Sequence, residues 1–157
     1  MGVSARYARL VPELVCAEIG RSLAFYVGVL GFAVVYAREE ERFAYVDREG
    51  AQLMLEQPTG RAFVAGGLER LEQPYGRGIN LQIEVEAVAP LYARVLAAGA
   101  PLVLALEDRW YPRDGTLLGN RQFVVADPDG YLLRFFQNLG ERPAPKRPAP
   151  GARLPDR

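Results

Sequence analysis

Ile79-Asn80-Leu81-Gln82-Ile83-Glu84-Val85-Glu86 alternates apolar and polar residues without a break. That period of two belongs to a strand with one buried face. A helix is expected directly after it, over residues 88–98. Leu91, Val95 and Ala98 align on one side, Pro90 suits the first turn, and Gly99 supplies the stop. Strands are then expected at 102–106, 122–126 and 132–137, with Asp127-Pro128-Asp129-Gly130 as the turn between the last two. The first half of the chain repeats this order. A strand at 10–16 precedes a helix at 21–30, with Ser22 as its cap, Leu23, Tyr26, Val27 and Leu30 on one side, and Gly31 as its stop. Strands follow at 32–36, 42–47 and 52–56, the last two joined by Arg48-Glu49-Gly50. Each half is thus strand, helix, strand, strand, strand. Neither half covers both faces of its sheet, so the two are expected to pack or pair.

Composition removes much chemistry. The 157 residues contain no histidine, one cysteine and, in Lys146, one lysine. Serine–histidine triads, cysteine–histidine pairs and the commonest metal ligand are excluded together. A Schiff-base lysine is not expected either. Cys16 cannot form an internal disulfide, which suits a reducing cytoplasm, and its predicted place facing the helix makes it a buried, inert thiol. No apolar run reaches the ~20 residues of a membrane-spanning helix, and the N-terminus has no apolar stretch with a cleavage site. Charge is balanced overall, yet residues 141–157 hold five basic side chains against two acidic, leaving the remainder at −3. Five of the twelve prolines fall in the same stretch, so 139–157 is expected to be a disordered, solvated tail. It has no aromatic residue with which to read nucleic acid.

Alternation also assigns the sheet faces. Leu14, Leu53, Leu55, Leu81, Ile83, Val85, Leu133 and Phe135 should meet the helices. The other face mixes Glu13, Glu56, Asn80, Gln82, Glu84 and Arg134 with Val11, Met54, Leu132 and Phe136. Such apolar residues suit a partly enclosed cleft better than open solvent.

Val11-Pro12, then Arg21-Ser22-Leu23-Ala24-Phe25-Tyr26 and Leu30-Gly31-Phe32, resemble the opening of the vicinal oxygen chelate superfamily. Leu53-Met54-Leu55-Glu56 and the stretch from Asp127-Pro128-Asp129-Gly130 through Leu132-Leu133-Arg134 to Gln137-Asn138 resemble its two closing strands. Within it, bleomycin resistance proteins are most similar. The resemblance implies an α+β fold in which paired βαβββ modules form a curled mixed sheet with a cleft, usually in a homodimer. The domain would span 1–138, with module one at 9–57, a linker at 58–78 and module two at 79–138. Enzymes of the superfamily hold a divalent metal at positions that the resemblance carries onto Val11, Glu56, Asn80 and Arg134. Only Glu56 is a good ligand and Arg134 would repel a metal, so no metal and no cofactor is expected. Pairing of Glu56 with Arg134 is the expected alternative.

The expectation is therefore a cytoplasmic small-molecule binding protein that acts without catalysis. Sequestration of a bleomycin-type antibiotic is the leading reading, and a metal-dependent lyase, isomerase or dioxygenase the alternative. The expected ligand-binding residues are Glu13, Tyr45, Glu56, Asn80, Gln82, Trp110, Tyr111 and Arg134. Residues 107–115 are expected to form a cleft rim, on which Trp110 and Tyr111 either stack on ligand or cover a hydrophobic edge or dimer contact.

Overall fold

The computed structural model describes residues 6–145. The first module contains β1 (Glu13–Val15), α1 (Ile19–Leu23), β2 (Ala33–Arg38), β3 (Phe43–Arg48) and β4 (Ala51–Glu56). The second contains β5 (Asn80–Glu84), α2 (Val88–Ala97), β6 (Leu102–Arg113), β7 (Thr116–Ala126) and β8 (Leu132–Pro143). The repeated order read from the sequence is present. Helix α1 widens at its end into a π-helical turn over Ala24–Val29, where the Leu30 N–H reaches back five residues to the Phe25 carbonyl at 2.9 Å. Ser22 lies inside α1 and does not cap it.

The modules are tied in the same way. Ile19 at the start of α1 donates its N–H to Gln57 Oε1 at 3.0 Å, and Val88 at the start of α2 donates to Gln137 Oε1 at 3.3 Å. Each glutamine directly follows the last residue of its strand to receive a backbone bond from the chain entering the helix. Cys16 donates to the Glu56 carbonyl at 2.8 Å, and Val85 to the Phe136 carbonyl at 2.9 Å. A side chain from the closing strand thus satisfies one of the orphan N–H groups at each helix start.

One expectation of the fold is corrected. The strands do not make a curled mixed sheet with a cleft. They form two separate, open four-stranded sheets, ordered β1-β4-β3-β2 and β5-β8-β7-β6. In each, a parallel pair lies at one edge, β1 on β4 and β5 on β8, and the rest is antiparallel. Every ladder stays within its module, so no backbone pairing bends one sheet into the other.

The modules meet through a common apolar core. Tyr26, Leu30, Phe32 and Leu55 of the first and Val88, Val95, Phe123 and Phe135 of the second belong to it and are fully or almost fully buried. A polar clasp crosses the same junction. Asp127 accepts the Tyr26 hydroxyl at 2.9 Å and the N–H groups of Asp129 and Tyr131, both at 2.9 Å. Asp129 accepts the Ala17 N–H at 3.2 Å, the Ser22 hydroxyl at 3.4 Å and Gln73 Nε2 at 2.7 Å. The Tyr131 hydroxyl donates to the Val15 carbonyl at 3.1 Å. The turn that the sequence marks as Asp-Pro-Asp-Gly is therefore also the main hydrogen-bonded link between the two halves.

The second sheet is longer than its sequence reading. Residues 107–113 continue β6 and do not form a rim loop, and β7 begins at Thr116. Asp114 and Gly115 close the hairpin with φ of 45° and 83°, the backbone of the favoured two-residue hairpin turn. Strand β8 runs through Pro143, past the Asn138 at which the sequence reading ends the domain. Of the expected tail, residues 146–157 lie outside the described residues.

Within this ribbon, Gly119 lies opposite Trp110. A Cβ there would stand 2.6 Å from the indole Cζ3 and 2.9 Å from Leu139 Cβ. Gly119→Val is accordingly expected to lower the urea unfolding free energy by about 1–3 kcal/mol through overpacking. An unchanged midpoint would mean the indole can swing clear. No helix among the described residues is long and apolar enough to cross a membrane.

Candidate functional site

Both sheets turn one face to the helices and leave the other free of them. On the first sheet, Ala44, Val46, Leu53 and Leu55 enter the core, so Phe43, Tyr45, Met54 and Glu56 point to the free face. Glu13, before the buried Leu14, joins them. Tyr36 stacks on Tyr45 with ring centroids 5.2 Å apart, and Tyr7 meets Tyr45 edge-on at 5.4 Å. The Tyr45 hydroxyl donates to Gln52 Oε1 at 2.7 Å, and Gln52 in turn donates to the Arg6 carbonyl at 3.0 Å. Tyr45 is thus only 4% exposed, whereas Tyr36 and Tyr7 are 36% and 58% exposed. The expected groove aromatic supports two others that the alternation did not single out. Phe43 is covered too, by the Arg38 guanidinium 3.8 Å from its ring centroid.

On the same face Glu56 stands opposite Phe43, and Glu13 opposite Met54. Burial and the neighbouring Glu13 carboxyl push the Glu56 carboxyl above the ordinary glutamate range, against the opposing pull of Arg38. Arg38 itself is ion-paired with Glu41 at 2.6 Å. One sheet face therefore offers accessible phenol rings toward the β2 edge and a pair of crowded carboxyl groups toward the β1 edge.

The second sheet's free face carries a trough of about 510 Å³. Gln82, Tyr111, Asn120, Arg134, Phe136 and Asn138 line it, and its far end is closed by Arg113 and Glu141, paired at 2.7 Å. Tyr111 is fixed by buried Gln122, whose Nε2 donates to the phenol oxygen at 2.8 Å and to Glu107 Oε1 at 3.1 Å. Arg134 donates through Nη2 to Gln82 Oε1, while its buried Nε has no acceptor among the described residues.

The expected Glu56–Arg134 pair does not form. The two residues belong to different sheets, Glu56 beside Glu13 and Arg134 beside Gln82. Trp110 and Tyr111 are neighbours in one strand and so point to opposite faces. Only Tyr111 lines the trough, and Trp110 packs under Arg142 at 3.9 Å. Asn80 lies at the start of β5, in a smaller groove that Leu10, Pro12 and Gln52 of the first module also line. Asn120 and Asn138 lie on strands longer than the sequence reading made them, Asn120 where β7 extends back to the Asp114-Gly115 turn and Asn138 where β8 runs past residue 137.

The pairing register tests whether these residues suit a superfamily metal. Glu13 stands opposite Met54, and Gln82 opposite Arg134. Met54, and not Glu56, is thus the first module's counterpart of Arg134, as Val11 is of Asn80. A thioether, a valine, a carboxamide and a guanidinium do not make a divalent-metal site. Among the described residues no three histidine, cysteine, aspartate or glutamate side chains gather to hold an ion. The residues do not fit the metal.

Two βαβββ modules with helix-free faces define the class of protein to which this chain belongs. Residues 7–135 match the family model of the Glyoxalase/Bleomycin resistance protein/Dioxygenase superfamily. The chain is a member of that superfamily. It is 27% identical over 139 residues to the bleomycin resistance protein of Geobacillus stearothermophilus, covering 82% of this chain and 96% of that one. The crystal structure of TioX from Micromonospora sp. ML1 is similar at 26% identity and a TM-score of 0.61, over 84% of this chain and all of that one. A superfamily member from Alicyclobacillus acidocaldarius shares the fold at 20% identity and a TM-score of 0.57, over 83% and 92% of the two chains.

Proposed function

We propose that this protein binds and sequesters a cationic antibiotic of the bleomycin type, as a cytoplasmic homodimer and without metal chemistry. The observation that carries the reading is the first sheet's free face, which presents the exposed rings of Tyr7 and Tyr36 toward one edge and the Glu13 and Glu56 carboxyl groups toward the other. Flat heteroaromatic groups stack on phenol rings, and a basic tail seeks carboxylates. The similarity to bleomycin resistance proteins over nearly their whole length supports the same reading. Sequestration asks only for a complementary surface, so a donor set unsuited to a metal is no obstacle to it.

Calorimetric titration of the metal-stripped, full-length protein with metal-free bleomycin tests the proposal. Saturable heat is expected, at one drug per chain. Absence of heat, together with failure of bleomycin to raise the melting temperature, would overturn it.

A further inference from the structure

We infer that the trough on the second sheet is a separate subsite for a carboxylate carried on a flat, apolar body. Three charged side chains line it, and two of them, Arg113 and Glu141, neutralise each other at 2.7 Å. Arg134 is left as the uncompensated charge, since no carboxylate lies within 4.0 Å of its guanidinium among the described residues. Its one hydrogen bond goes to a neutral carboxamide, and its buried Nε has no acceptor. A half-buried guanidinium in that state calls for an anion. Asn138 spends its oxygen on the Gly140 N–H at 2.7 Å, which leaves its NH2 to donate. Phe136 and Leu118 supply the apolar walls, with Tyr111 at the side. One free cation with amide donors matches a singly charged carboxylate. A phosphate dianion would need the second cation that Glu141 already holds.

The site lies on the opposite module from the face proposed for a cationic drug, and it is tested apart from it. Full-length protein is titrated with 1-naphthoate, the uncharged 1-naphthamide and 1-naphthyl phosphate, for wild type and for Arg134→Gln and Arg134→Lys. Naphthoate is expected to bind about tenfold or more tightly than naphthamide. Arg134→Gln should abolish that preference while leaving naphthamide affinity unchanged, and Arg134→Lys should keep part of it. Equal affinities in wild type, a preference that survives Arg134→Gln, tighter binding of the phosphate, or no naphthoate binding at millimolar concentration would each overturn the inference. A bleomycin titration of the Arg134→Gln protein separates the two sites. Unchanged drug affinity beside a lost naphthoate preference is the expected pair of results. If Arg134→Gln alters drug affinity as strongly as naphthoate affinity, the subsite is not separate and the inference fails.

Discussion

Replacing Asp127 by alanine is expected to cost about 3–5 kcal/mol of unfolding free energy, the largest loss of any single polar change in this fold. Asp127 is 4% exposed and serves three donors. Alanine would strand the Tyr26 hydroxyl, itself fully buried, and open the turn that holds Asp129 in reach of Ala17, Ser22 and Gln73. Asp127→Asn should cost far less, about 1 kcal/mol, because one oxygen still accepts both backbone N–H groups and the Tyr26 hydroxyl can reverse to accept. Burial raises the Asp127 carboxyl above the usual aspartate range despite these hydrogen bonds. The folded protein therefore binds that proton more readily than the unfolded chain, and wild-type stability falls as pH rises through the window above ordinary aspartate. The gap between wild type and Asp127→Asn should narrow over the same window. Urea unfolding at a series of pH values would show it, and a gap that widens with pH would contradict this account of Asp127.

Binding of a cationic drug should weaken about tenfold or more when Glu13 and Glu56 are both changed to glutamine, with the fold kept. In wild type burial and the Glu13 carboxyl let Glu56 keep its proton to higher pH than an ordinary glutamate, and it gains charge as pH rises past that point. Drug affinity is then expected to climb across a window above the ordinary glutamate range and to level off beyond it. The Glu13→Gln/Glu56→Gln protein should give a flat profile. Added salt should lower wild-type affinity and leave the double variant nearly unmoved, since these carboxyl groups are partly open to solvent. Calorimetry across pH and salt measures both effects. Equal affinities for the two proteins would remove the carboxyl pair from the proposed function.

What was legible in the sequence followed from period and punctuation. The alternation from Asn80 to Glu84 and the glycine stop after α2 locate β5 and its helix within a residue or two. The Asp-Pro-Asp-Gly turn locates the joint between β7 and β8. Residues 107–113 were not read as strand, because Pro112 and a run of charges resemble a loop, while the Asp114-Gly115 hairpin signal was absorbed into it. A strand would have sent Trp110 and Tyr111 to opposite faces, and would have placed Asn120 opposite Asn138. The Glu56–Arg134 pair failed for another reason. Charge complementarity says which side chains can pair, but two sheets with no ladder between them keep these apart, and which sheet a strand joins is a long-range outcome. Tyr36 escaped notice because a bulge between Val34 and Tyr36 shifts the register of β2 against β3, so plain alternation does not place its ring over Tyr45.

The glutamines at positions 57 and 137 bear on how such a chain can change over time. Each module is latched by a half-buried side chain that reaches its own helix start. The residue just before the latch is Glu56 in one copy and Phe136 in the other, and the facing pairs are Glu13–Met54 in one and Gln82–Arg134 in the other. A duplicated unit fastened in this manner can let its two surfaces diverge to opposite chemical character while both copies keep folding alike. Acid and aromatic in one half, base and amide in the other, the two faces differ in character around the same fastener.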